Sequence, residues 1–360
     1  MKNLNEQQVS NSVHQLGYIN TLRFIALPAV IMLHCSSPLL AAYGTVPHSQ
    51  WLAADFYNAL TRFAVPVFVM ITGALLLGRD DEIFDFLKKR LSRVVIPFLF
   101  WSLVYVAYSY YDEEIVYTGN LYTTINQVLH QLKSGAQYHL WYVYMLIGLY
   151  LIIPVLSKFI RNATEKETLY FLAVWLLVMQ ITQPYMARYN PAVDTRYFAG
   201  YIGYLVLGYY LANKNFSFKY ISPLMALLFV GSVAVITIGT SFFFDYYHGI
   251  STVFYEPLSW PIVILSSSIF LAVRFSTIKA PTFFVTIRDF VGKYNYGIYL
   301  SHALILTLLD DSDLTGFSLS FKSFNPFLAI PVTGVVCLVI SLLLVYLLNK
   351  LPFVGKYISG

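Results

Sequence analysis

Charge is what this sequence has least of: only 11% of its 360 residues are Asp, Glu, Lys or Arg, against roughly 25% in a soluble domain. A chain so poor in charge cannot cover an ordinary water-facing surface, and that excludes a soluble globular fold. Cysteine is scarce too. Cys35 and Cys337 lie far apart in apolar stretches, which excludes a disulfide scaffold and says little about redox compartment. No phosphate-binding glycine loop, no G-x-S-x-G and no H-E-x-x-H occurs, which removes the common soluble nucleotide, esterase and metalloprotease chemistries. The seven histidines are too scattered for a metal site. The net charge of +5 comes without a basic run on a soluble fold, which argues against nucleic acid as a partner.

What the chain has is apolar sequence and aromatic rings. It is 58% hydrophobic with 30 Tyr and 28 Phe, residues suited to repeated crossings of a membrane interface. Stretches of spanning length recur at 19–41, 57–79, 94–112, 138–157, 167–187, 196–213, 220–243, 257–274, 291–310 and 325–349. A segment in lipid must satisfy its own backbone, so each reads as a helix. The expected fold is an all-α integral membrane protein, a bundle of about ten transmembrane helices. Pro184, Arg188, Pro191 and Arg196 crowd between the fifth and sixth.

Charge placement supports the count. With a cytoplasmic N-terminus, 17 of the 23 Lys and Arg fall on the cytoplasmic side, and only Lys133, Arg188, Arg196 and Lys322 on the other. That is the positive-inside bias, with both termini cytoplasmic. The expected organisation is a polar segment 1–17, a transmembrane domain 18–350 and a short tail 351–360. The first apolar stretch is too long for a signal-peptide core and lacks an A-x-A-like cleavage site, so it reads as a retained span. The connection 112–137 carries Tyr117, Leu121, Tyr122, Ile125 and Leu129, enough for an interfacial helix on the outer side. The connection 80–93 opens with Asp80, Asp81 and Glu82 and ends with Lys88, Lys89 and Arg90. These signs match the helix dipole of an amphipathic helix on the cytoplasmic face.

Ionisable residues inside spans are functional candidates by default. Arg23 and His34 are eleven residues apart in the first span. In a straight helix both point to one face, about 16 Å apart along the axis. A neutral imidazole can take a proton from a hydroxyl; an interhelical histidine and a snorkelling arginine are the plain alternatives. Arg90 and Arg93 share a helix face at i and i+3. They suit the phosphates of coenzyme A, or serve simply as loop charge. Arg62 opens the second span from the outer side, where it can meet an anionic or sugar acceptor. His302 stands about 13 Å into its span, with Tyr299 before it. It reads either as a cavity partner of His34 or as an interhelical hydrogen bond. His139 and Trp141 stand at the outer edge of the fourth span, beside an acceptor path or in an aromatic belt.

These stretches together resemble the acyltransferase-3 family of membrane O-acyltransferases, across roughly 18–350. The first span, from Arg23 to His34, resembles the family's R-x10-H motif. R-F-A-V-P-V-F-V-M-I-T-G from Arg62 resembles its second-span entry. The R-x-x-R pair, Y-H-L-W-Y around His139 and Y-G-I-Y-L-S-H ending at His302 follow in family order. The branch that O-acetylates enterobacterial common antigen and related surface sugars is the most similar. The resemblance implies His34 as catalytic base, with Arg23, Arg90 and Arg93 holding the acyl donor. Arg62, Tyr299, His302, His139 and Trp141 are then substrate-side residues. It implies acetyl-CoA as a donor substrate with no permanently bound cofactor and no metal. The acceptor is a hydroxyl of a cell-surface or lipid-linked glycan, at the bacterial cytoplasmic (inner) membrane. Asn20 stands where many members carry Asp. The alternative function is an exporter or flippase of a polysaccharide or lipid-linked sugar without acyl transfer.

Overall fold

The computed structural model describes residues 2–181, 183, 200–247, 253–352 and 355–358. Pro184, Arg188, Pro191, Arg196 and His248 lie outside the described residues, as do parts of the expected fifth and sixth spans. Among the described residues there is no strand. Seven helical stretches among them are long and apolar enough to cross a bilayer: Gly17–Ala41, His48–Leu76, Ile83–Tyr111, Tyr138–Asn162, Ile221–Tyr246, Val253–Arg274 and Pro326–Asn349. The chain therefore has the architecture of a multi-pass membrane protein. Each of the seven falls on one of the ten stretches expected from hydropathy. The other three fall on shorter helices of 17, 12 and 16 residues, Glu165–Ile181, Ile202–Asn213 and Asn295–Asp310, where a span needs about 20.

The chain divides into two compact units. The first comprises residues 1–80, 155–293 and 321–334, the second 81–154, 294–320 and 335–360.

In the first unit, α1 (Lys2–Ala41) packs against α2 (His48–Thr61) and α3 (Ala64–Leu76), with Ile19, Leu22, Leu27 and Ile31 buried. Helix α4 (Ile83–Tyr111) and α5 (Leu121–Ser134) belong to the second unit, and α6 (Trp141–Asn162) leads back to the first. There α7 (Glu165–Ile181) packs on α8 (Ile202–Asn213), and α9 (Ile221–Tyr247) packs on α10 (Trp260–Arg274). Helix α11 (Thr282–Lys293) lies against α1. Polar contacts sort the connections of this unit to two ends. At one end Arg161 pairs with Asp80 at 2.6 Å and Lys214 with Glu165. There too Arg274 donates to the Lys214 carbonyl at 2.7 Å and Arg288 to the Gly17 carbonyl at 3.2 Å. Lys214 and Tyr210 hold the Glu165 carboxyl below its usual range. At the other end Tyr43 donates to Asp245 at 2.7 Å and Trp51 to the Leu40 carbonyl at 3.0 Å. The basic connections thus gather at one end, as an alternating passage of helices requires.

Without a strong hydrophobic drive between helices in lipid, close backbone packing holds spans together. The α3–α8 crossing shows it. A Cβ on Gly73 would stand 1.9 Å from the Leu205 carbonyl oxygen, and one on Gly208 2.1 Å from that of Met70.

In the second unit, α4 packs against α12 (Asn295–Asp310). The expected surface helix over 80–93 is instead the opening of α4, which runs without a break from Ile83; nothing between Arg93 and Val94 ends it. Glu82 caps it, accepting from the Asp85 amide at 2.9 Å. The tail is not free: its turn Gly355–Ile358 packs on α4, where Trp101 donates to the Ile358 carbonyl at 3.2 Å. The α13 helix (Pro326–Asn349) carries Val335, Val339, Leu343 and Leu347, four residues apart and all more than half exposed. Such a stripe is a lipid-facing surface.

Gly73→Ala and Gly208→Ala should each push α3 and α8 apart and cost about 1–3 kcal/mol. Thermal unfolding in detergent should fall by several degrees, while Gly231→Ala, with nothing within 4 Å, should leave it unchanged.

Candidate functional site

Arg23 and His34 are both on α1, in the first unit, and both are half-buried. Between them on the same helical face, Ala26, Leu27 and Val30 are buried. That strip is packed, while its two ends stay accessible. Helix α1 is not the uniform rod of the spacing argument, because it contains Pro28 and Pro38. Proline has no N–H, so each deprives the carbonyl four residues earlier of its helical donor and bends the helix there. For Pro38 that carbonyl is His34's own. Ser36 and Ser37 both donate to the Leu33 carbonyl, at 3.0 and 2.7 Å, a back-bonding that also bends helices.

The end of α1 that carries Arg23 meets α11. Arg288 donates to Thr21 at 3.2 Å and to Asp289 at 2.9 Å, and the Asn20 amide approaches Asp289 at 3.4 Å. Asp289 thus brings a carboxylate beside position 20, where the residue itself is Asn. The Arg288 hydrogen bond holds that carboxyl below its usual range.

Arg62 sits in the short joint between α2 and α3, and Pro66 withholds an N–H from its carbonyl. Its guanidinium lies over the Tyr255 ring at 4.5 Å and donates to Asn58 at 2.8 Å. Asn58 in turn donates to Ser36 at 2.6 Å, two residues past His34. Tyr255 donates to Asp55, which has no exposed surface. Glu256 acts on Arg62 through space. This network of Asp55, Tyr255, Arg62, Asn58 and Ser36 ties α2 and the turn Val253–Tyr255 that precedes α10 to the part of α1 that bears the imidazole. Sequence reasoning found Arg62 but not Asp55, Asn58 or Tyr255. The signal was present: Asp55, Asn58 and Arg62 stand at i, i+3 and i+7, one helical face.

In the second unit, Arg90 and Arg93 lie near the start of α4. Arg93 is exposed, and Arg90 rests 5.9 Å over the Phe86 ring. Among the described residues neither is in an ion pair. Pro97 does to the Arg93 carbonyl what Pro38 does to that of His34. His139, Tyr299 and His302 come together. The His139 and His302 rings are 4.8 Å apart edge to face, and Tyr299 donates to the His139 carbonyl. Tyr105 seals the cluster, donating to the Leu300 carbonyl at 2.7 Å. His302 has no exposed surface and His139 only 1%. The cluster is a closed aromatic knot. Trp141 is not part of it; at 44% exposed it stands on the surface of α6, as an interface ring does.

Known proteins bear on this arrangement. The chain matches the family model of the acyltransferase domain, acyltransferase-3, over residues 16–346. It is similar to the "Putative membrane-bound acyltransferase YfiQ" of Bacillus subtilis (strain 168), 22% identical over 311 residues and 82% of each chain. It is also similar to the "Succinoglycan biosynthesis protein ExoH" of Rhizobium meliloti (strain 1021), 31% identical over 128 residues. That match covers 33% of this chain and 34% of that protein, about a third of the relative's length. No solved structure matches the chain.

Tyr255→Phe should keep the ring beneath Arg62 but leave the buried Asp55 carboxylate short of a donor. We expect a loss of about 1–3 kcal/mol as a lower unfolding midpoint in detergent. An unchanged midpoint would show that the bond carries no stability.

Proposed function

The chain belongs to the acyltransferase-3 family, and from that premise we propose that it moves an acetyl group from cytoplasmic acetyl-CoA to a hydroxyl of a cell-surface or lipid-linked glycan. The observation that carries this reading is the accessible imidazole of His34 on a bent turn of the first span, inside the matched region. Its setting suits a general base.

In the proposed reaction the neutral imidazole of His34 takes the proton of the acceptor hydroxyl. The oxygen attacks the thioester carbonyl carbon, a C–O bond forms and the C–S bond breaks. The thiolate leaves as coenzyme A and takes a proton back from the imidazolium. Arg90 and Arg93, in no ion pair among the described residues, are assigned to the donor's phosphates, which guanidinium groups hold through paired hydrogen bonds. Arg23 is assigned to the donor as well. Arg62, held by Asn58 and Tyr255, is assigned to the acceptor. We place the chain in the bacterial inner membrane with its basic connections in the cytoplasm, on the positive-inside argument. A reaction site within the membrane that excludes bulk water would also limit hydrolysis of the thioester.

Purified protein in nanodiscs, given labelled acetyl-CoA and cell-envelope glycan, should transfer label, and His34→Ala should reduce transfer by at least a hundredfold, within the range of general-base catalysis. Glycan movement without any acetyl transfer by the unaltered protein would replace this reading with export. Arg90→Gln with Arg93→Gln should weaken acetyl-CoA binding tenfold or more by calorimetry, without lowering the unfolding midpoint.

A further inference from the structure

An open cleft among the described residues is lined by none of the residues assigned above. It measures about 490 Å³ and is lined by Glu114, Tyr122, Asn126, Gln127, His130 and Gln131 among others, all within the second unit. A cleft of this size is within the range of small-ligand sites.

Helix α5 forms one wall, and its two faces differ sharply. Leu121, Ile125, Val128, Leu129 and Leu132 fall on one arc at helical spacing, with Leu121, Ile125 and Leu129 exposed. Thr123, Asn126, Gln127, His130 and Gln131 fall on the opposite arc, and all five line the cleft. An interfacial helix that only lay on lipid would carry Lys and Arg on its polar face. Here that face carries amides, a hydroxyl and an imidazole, and α5 has no Lys or Arg before Lys133. A planar amide offers a donor and an acceptor side by side, the pattern that two neighbouring sugar hydroxyls match. The exposed ring of Tyr122 at the same cleft offers an apolar face for the C–H side of a sugar ring.

The cleft floor is fixed rather than loose. Gln127 accepts from the Tyr110 hydroxyl at 2.9 Å and donates to the Val116 carbonyl at 3.3 Å. Glu114 accepts from Ser109 at 2.9 Å. Asn120 caps the helix, accepting from the Tyr122 amide at 2.9 Å. Glu114 lines the cleft, and Asp112 and Glu113 directly precede it in the chain; this local negative charge disfavours an anionic ligand.

We propose that this cleft binds an uncharged glycan segment, seated on Tyr122 and hydrogen-bonded by Asn126 and Gln131, and so selects the acceptor for the transferase. The inference rests on the acyl-transfer reading only for the word acceptor; the binding itself is tested without donor. The probe is the source cells' own surface polysaccharide, stripped of esters by mild alkali, cut to short fragments by acid and split on an anion exchanger into neutral and anionic pools. Titrated into the full chain in nanodiscs, the neutral pool should bind and the anionic pool should bind at least tenfold more weakly. Asn126→Ala with Gln131→Ala, at surface positions of α5, should weaken neutral binding at least tenfold. Thr123→Arg, which fills the cleft while keeping a helix-forming residue, should abolish it. Absence of neutral binding by the unaltered chain, preference for the anionic pool, or full binding by both variants would overturn the proposal. If the variants lose glycan binding while no chain transfers acetyl, the cleft stands and the acyl-transfer reading falls. If transfer proceeds with normal acceptor dependence in both variants, the reverse holds.

Discussion

In a bilayer a backbone carbonyl without a donor is expensive, so spans are helices with every interior bond made. This chain breaks that rule at chosen places. His34, Arg62 and Arg93 each stand four residues before a proline, Pro38, Pro66 and Pro97. Each therefore has its own carbonyl deprived of the helical donor. Phe24, next to Arg23, stands in the same relation to Pro28. A freed carbonyl must be met by something else. Pro331 frees that of Phe327, and the Tyr57 hydroxyl takes it at 2.7 Å. Three of the ionisable groups assigned to chemistry, His34, Arg62 and Arg93, thus sit where a proline leaves their backbone carbonyl open to a partner other than the helix.

Much of this was legible in the sequence because it depends on composition and spacing alone. Long apolar stretches, the family motifs and the i, i+3 placement of Arg90 and Arg93 all follow from local pattern. The placement of the second span was not. An expected start at residue 57 left Asp55 in a connection, whereas α2 begins at His48 and carries Asp55 inside. Its partner Tyr255 is 200 residues away, and no local pattern reports such a pairing. The surface helix over 80–93 failed for the opposite reason: its charges match a helix start, and nothing in the sequence marked it as continuous with the span that follows. The straight-helix geometry for Arg23 and His34 does not carry through Pro28, which stands between them.

The histidines divide by environment. His139 and His302 are buried in an aromatic cluster in which His139 Nε2 and His302 Nδ1 each meet a backbone carbonyl, an arrangement that fixes α12 against the start of α6 within the second unit. His34 is half-buried on a bent turn. An imidazole that must accept and return a proton needs access to substrate, which the buried pair lacks. In the proposed function the proton transfer is therefore assigned to His34 on α1.

Carbethoxylation by diethyl pyrocarbonate, mapped residue by residue in the nanodisc-held protein, tests that division most directly. The account predicts that loss of acetyl transfer follows modification of His34, that acetyl-CoA with glycan slows it, and that His139 and His302 stay unmodified while the protein is folded. Inactivation that follows His302 instead, or a His34 that never reacts because its ring faces lipid, would contradict it.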